Sequence, residues 1–169
     1  GHGQIEGLKE KYGMEYRRAY WDEQPDAHMI ERHVREVFPL MRRRSLFSGS
    51  ENFAFYNFHT SDGSVDETVF AYTNSIGTER PDICYNNAYN TTSGRAHRSV
   101  PMNTSPSGEG DANLATKTLA EALSLEVAGD CYYVYRDHKS GLEYIRHASE
   151  IAEKGLYFHL NAYQYHVFL

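Results

Sequence analysis

One change of hydrophobic period, near Ser48-Gly49-Ser50, sets what this 169-residue chain can fold into. Ahead of it, Ile30, Val34, Val37, Phe38 and Met41 recur at helical spacing, with Glu31, Arg32, Arg35 and Glu36 on the opposite face. Pro25 suits the first turn of such a helix, predicted from Pro25 to about Arg43. Pro39 lies inside the pattern, where it should kink the helix or end it early. Beyond Gly49 the helical period gives way to short aromatic runs bounded by turn residues, the pattern of strands.

Asn52 to His59 (NFAFYNFH) reads as a strand buried on both faces. Ser61-Asp62-Gly63-Ser64 is a turn, and Glu67 to Asn74 closes a hairpin. Pro81 to Tyr85 is a third strand. Asn86 to Gly110, rich in Asn, Thr, Ser, Gly and Pro, reads as a long loop. Asp111 is placed to cap a helix through Leu114, Leu119, Ala122 and Leu123. Strands resume at Cys131 to Arg136 and Leu142 to Arg146, and a helical turn from Glu150 to Lys154 stops at Gly155. The run Leu156 to Leu169 (LYFHLNAYQYHVFL) makes one or two more strands. The expected fold is mainly β: an antiparallel β-sandwich preceded by an amphipathic helix, with a second short helix inserted. The expected division is a helical segment over residues 1–49 and a β domain over 50–169.

Tyr (14) and Phe (8) against a single Trp reinforce the β reading and suit faces that stack on sugars. A net charge of -6 disfavours a phosphate-backbone partner, so no nucleic acid is expected. No apolar run approaches the roughly 20 residues of a bilayer span, so no membrane is expected either. Cys84 and Cys131 sit in apolar contexts. Buried thiols are the simple reading, one disulfide remains open, and a cytoplasmic setting is favoured. The aromatic final run and the Gly1-His2-Gly3-Gln4 start read as a piece of a larger protein.

The segments GHGQIEG, KYGMEYRRAYWDE, FPLMRRRSLF, ETVFAYTNS, YRDHKSGLEYIR and LYFHLNAYQYHVFL resemble the C-terminal portion of large bacterial proteins of the α-amylase superfamily of glycoside hydrolases. The resemblance covers nearly the whole chain apart from the loop near Asn103 to Asp111. It implies that Gly1 to about Phe47 is the last loop and helix of a (β/α)8 barrel and that Ser50 onward is the C-terminal β-sandwich. It implies no catalytic residue. That chemistry needs two carboxylates flanking the sugar bond, and the nucleophile motif Gly-x-Arg-x-Asp is not met by Gly94-Arg95-Ala96-His97-Arg98. By the same resemblance His2, Gly3, Gln4 and Glu6 come from near the sugar-facing mouth of the barrel.

Three sets of residues remain as candidates for chemistry. Asp62, Asp66 and Glu67 offer hard oxygens within one hairpin loop, which suits Ca²⁺, although an acidic solvated turn has the same composition. Asp137-His138, with Asp130 or His147, offers a metal or proton-transfer pair; the other histidines, including the pairs His28/His33 and His159/His166, fail zinc spacing. Trp21, Tyr20 and Tyr133, with Tyr132 and Tyr135, offer a carbohydrate-stacking platform, if they are not core. No nucleophile elbow or phosphate-cradling loop is present. The expected function is a non-catalytic β module of an amylase-like glycoside hydrolase, partnered by its barrel or by a second copy of itself. The alternative is a small calcium-dependent hydrolase of a lactone or ester.

Overall fold

The computed structural model describes residues 3–10, 20–104 and 113–169. The Asp111 cap, His2 and the Ser105 to Gly110 segment lie outside the described residues. The chain divides into two compact units between Arg44 and Ser45.

In the first unit, Asp26 caps helix α1 (Ala27–Arg32), its carboxylate accepting from the Met29 N–H at 3.0 Å. A π-helical turn, His33–Val37, follows, and then α2 (Phe38–Arg42). The wide turn has a cause. Pro39 has no N–H, and its ring would collide with the carbonyl four residues back. Lengthening the preceding turn gives it room, and the Phe38 N–H reaches back to the His33 carbonyl. Glu36, buried in this turn, is held by Arg32 at 3.1 Å and Arg35 at 2.8 Å. A last helical turn, α3 (Arg44–Ser48), leads out.

The second unit is mainly β and antiparallel. Its strands are β1 (Ala54–Thr60), β2 (Val69–Thr73), β3 (Asp82–Asn86), β4 (Thr92–Ser99), β5 (Met102–Asn103), β6 (Leu114–Ala115), β7 (Tyr132–Arg136), β8 (Glu143–His147), β9 (Leu156–Leu160) and β10 (Tyr165–Phe168). Six of them form one sheet in the order β10-β3-β2-β1-β4-β9; β5-β6 and β7-β8 are separate ribbons. Two helices, α4 (Leu119–Ala122) and α5 (Ala148–Lys154), complete the unit.

Register puts one set of side chains on the same face of the sheet: Tyr56 opposite Ala71, Ala71 opposite Cys84, and Phe58 opposite Ala96. These residues, with Leu119, Leu123, Tyr135 and Ile151 from the helices and the β7-β8 ribbon, form the buried core. Strand β1 alternates strictly. Ala54, Tyr56 and Phe58 are buried while Asn57 and His59 are exposed, so the expected burial on both faces is corrected to burial on one.

Two further readings are corrected. The stretch after Asn86 is not all loop, because β4 runs through it, hydrogen-bonded to β1 and β9. Its composition is turn-like because the site demands small residues. A Cβ at Gly94 would lie 2.3 Å from the His59 carbonyl oxygen and 2.8 Å from Phe58 Cε1. The inserted helix is short, since Leu114 lies in β6. It begins at Thr118, whose hydroxyl accepts from the Glu121 N–H at 3.2 Å while Glu121 accepts from the Thr118 N–H at 2.7 Å. Gly155 ends α5 at φ 69°, and a Cβ there would meet the Ala96 carbonyl oxygen. Both cysteines are free, Cys84 buried and Cys131 half-buried. Among the described residues no helix is long and apolar enough to cross a membrane.

Candidate functional site

Strands β9 and β10 stand at opposite ends of the strand order, yet their side chains meet. The Phe158 ring lies 6.2 Å from both His166 and Phe168. The sheet therefore curls until its two edges face each other without pairing. Period 2 puts Gln164, His166 and Phe168 on one face of β10, and the same period turns Tyr135, Tyr144 and Arg146 of the β7-β8 ribbon to one side. Together with Phe158 these residues line a cavity of about 300 Å³ at the open seam. Its floor is an aromatic cluster: Tyr135 to Phe168 at 5.5 Å, Tyr144 to Phe168 at 5.8 Å, and His166 stacked on Phe168 at 5.8 Å.

Asp137 backs this cavity. It is buried, with Oδ2 accepting from the Ser140 hydroxyl at 2.7 Å and Oδ1 from the Val167 N–H at 3.2 Å. Its Oδ2 also lies 3.3 Å from His166 Nδ1. Burial raises its pKa, but the hydrogen bonds from Ser140 and Val167 and the His166 imidazole outweigh that, and the net shift is downward. The Gln164 amide nitrogen is 3.3 Å from His166 Nε2. An amide N–H only donates, so His166 accepts at Nε2 and donates to Asp137 from Nδ1. The structure thus joins Asp137 to an imidazole twenty-nine positions on. The backbone N–H of His138 is used by the Val167 carbonyl at 2.8 Å.

Among the described residues, the Tyr135 hydroxyl on the cavity wall and Asp82 Oδ2 on β3 are buried with no hydrogen-bond partner. Asp82 pairs across the strands with Thr73 and Phe168. Its burial pushes its carboxyl up to about 7. Burial also raises the Tyr135 phenol; Asp82 adds to that rise and Arg146 opposes it.

The other candidates lie elsewhere. Asp62 accepts from the Thr60 hydroxyl at 2.5 Å and from the Ser64 N–H and hydroxyl at 3.0 and 2.8 Å, and these bonds hold its carboxyl down to about 2. Asp66 accepts from the Thr68 hydroxyl at 2.6 Å and N–H at 3.0 Å and from the Thr92 hydroxyl at 2.7 Å. Glu67 is exposed. Asp62 and Asp66 are thus engaged by hydroxyls and N–H groups, Asp62 within its own turn and Asp66 in its turn and on β4, and among the described residues no group of three or more His, Cys, Asp or Glu gathers to hold a metal. His147, weighed with Asp137, instead has its Nε2 2.9 Å from Asp130 Oδ1. Tyr133 has its hydroxyl engaged by the Glu126 N–H at 2.6 Å and its ring against the core, while Tyr132 is exposed. In the first unit, Glu10 accepts from the Tyr20 and Trp21 N–H groups at 2.8 Å, and both side chains are exposed.

Arg146, Tyr144 and Gln164 were not singled out from sequence, and His166 was weighed only as a metal ligand. The period-2 run Gln164, His166, Phe168 was the available signal; the pairing with Asp137 depends on how the edges curl. Compared with known proteins, the chain matches no protein-family model and no curated protein.

Proposed function

We propose that this chain is a non-catalytic β module of an amylase-like glycoside hydrolase, and that it holds carbohydrate at the seam between β9 and β10. The observation that carries this reading is the cavity itself. A sugar offers an apolar C–H face to a ring and hydroxyls to planar polar groups, and Tyr144, Phe158 and Phe168 stand beside Arg146, Gln164 and His166. Trp21 and Tyr20 are a second, separate pair of exposed rings.

In this reading the second unit is a sandwich in which the ribbon and helices form the layer over the six-stranded sheet. The helical unit is the remnant of a barrel, whose remaining part is the chain's partner. Val34, Val37 and Met41 are exposed on that unit, as a surface meant for a barrel or a second copy would be. The setting proposed is cytoplasmic. The test is a calorimetric titration with maltooligosaccharides, alongside a reducing-sugar assay on the same glucans. Saturable binding that Tyr144→Ala weakens, with no release of reducing ends, supports the reading. Absence of binding sinks it.

A second reading, a small hydrolase of a lactone or ester, is favoured by the chain Gln164–His166–Asp137, in which Asp137 would orient the imidazole and Nε2, once released from the Gln164 amide, would take a proton from water. In its calcium-dependent form, Asp62, Asp66 and Glu67 would have to exchange their present hydrogen bonds for the ion. Turnover of an activated ester that falls with EGTA and with Asp62→Ala would support that form; turnover that falls only with His166→Ala would assign the work to the imidazole.

A further inference from the structure

The chemistry of the seam cavity is not symmetric in charge. Arg146 lines it from β8, and among the described residues its guanidinium donates to the Ile145 carbonyl at 2.8 Å and lies 6.0 Å from the Tyr144 ring. No carboxylate among the described residues pairs with it. The acid that backs the cavity, Asp137, is already engaged by Ser140, Val167 and His166. The buried Tyr135 hydroxyl, which Arg146 influences, has no partner either. A guanidinium without a carboxylate partner and a buried hydroxyl beside apolar walls describe the complement of a molecule with one anionic group and one flat apolar body. An arginine fork fits a carboxylate in a bidentate way. The cavity's volume of about 300 Å³ lies at the low end for ligand sites, which limits the bound part to about one ring.

We infer that the seam cavity binds a ring-bearing carboxylate, with Arg146 pairing the carboxylate and the Tyr144, Phe158 and Phe168 side chains receiving the ring. This rests on the reading of the cavity as a ligand site and names the class of ligand. Two sources share the chemistry: a hexuronic acid, which is a sugar, and an aromatic acid, which is not.

The experiment is a calorimetric titration of the full chain with sodium glucuronate, sodium benzoate, the methyl ester of each acid, and maltose. The expected result is saturable binding of at least one acid, with its ester bound about tenfold more weakly or worse, as befits a lost charged hydrogen bond. Preference for glucuronate assigns the sugar source, and preference for benzoate the aromatic one. Arg146→Gln should lose the same factor, and Arg146→Lys should keep part of the affinity because charge remains without the fork. Arg146 is half-exposed and makes few contacts, and circular dichroism would verify that both variants fold. Equal binding of acid and ester, or an Arg146→Gln variant that binds the acid as the parent does, overturns the inference. Maltose binding without acid preference overturns it while leaving the carbohydrate reading standing. No binding of acid or maltose removes both.

Discussion

The centre of the six-stranded sheet and its seam obey opposite rules. At the centre, β1 and β4 are hydrogen-bonded on both sides, and side-chain volume is set by backbone approach. Gly94 has no room for a methyl group, and Ala71 and Ala96 face large rings from neighbouring positions. At the seam, the outer edges of β9 and β10 do not pair with each other. Rings rather than backbone fill the space, and they fill it incompletely, leaving a cavity and, among the described residues, the buried Tyr135 hydroxyl without a hydrogen-bond partner. Backbone complementarity leaves no vacancy, whereas ring packing across an unpaired edge leaves room for a guest.

The sharpest way to break this comparison is Gly94→Val. A β-branched side chain against the His59 carbonyl should cost at least about 3 kcal/mol or abolish folding, read as the urea midpoint. A similar loss from Gln164→Ala at the seam would show that the two regions do not differ in tolerance.

The next effect is pH-dependent. Asp82 has a folded pKa raised from 3.8 to about 7, so the folded state binds its proton more tightly than the unfolded one. The stability this confers is present below about pH 4 and is lost as pH rises through about 7. Asp82→Asn should remove that slope and leave the variant more stable than the parent above neutrality, by on the order of 2–4 kcal/mol. Parallel pH profiles of melting temperature would show instead that Asp82 does not carry the slope.

Asp137 works in the opposite sense. Its folded pKa is lowered, so its contribution is present above the ordinary carboxylate value and is lost as pH falls through the folded one. Asp137→Asn should cost about 1–3 kcal/mol at neutral pH. It should also shift the His166 imidazole resonances in NMR, because an amide replaces the carboxylate that accepts from Nδ1. Unchanged His166 resonances would remove Asp137 from the seam. The smallest effect is expected at Asp62, whose partners all lie in its own exposed turn. Asp62→Ala should leave the melting temperature at pH 7 unchanged within error, with or without EGTA. A calcium-dependent rise in the parent that this variant lacks would restore the metal reading.

The local grammar of the chain was legible where the period was clean. Aromatic runs marked β1, β7, β8 and β9, although β1 was expected to be buried on both faces and alternates, and Asp62-Gly63 marked a turn that is one. It failed where tertiary approach overrode propensity. The β4 segment, Thr92 to Ser99, reads as loop because its Gly and small polar residues suit a strand only when two neighbours close on it. The Thr118 cap was readable from its Thr-x-x-Glu spacing, but the apolar residues Leu114 and Leu119 suggested a longer helix. The site was less legible than the fold. Asp137 was visible as a turn acid, but its imidazole lies on β10 and its cavity on four strands, and no spacing rule connects residues that meet only when sheet edges curl together.

The order of pairing has a kinetic consequence. Strand β10 takes its place in the sheet against β3, far earlier in the sequence, and β9 against β4. Such distant pairings close slowly, because chain entropy must be lost before they return any stabilisation. The seam's walls come from β7, β8, β9 and β10, so the cavity exists only once those late contacts are made. A ligand that fits it therefore has nothing to hold on a half-assembled chain. It would act on the rate of unfolding rather than on the rate of folding, as a latch on a door that must first swing shut.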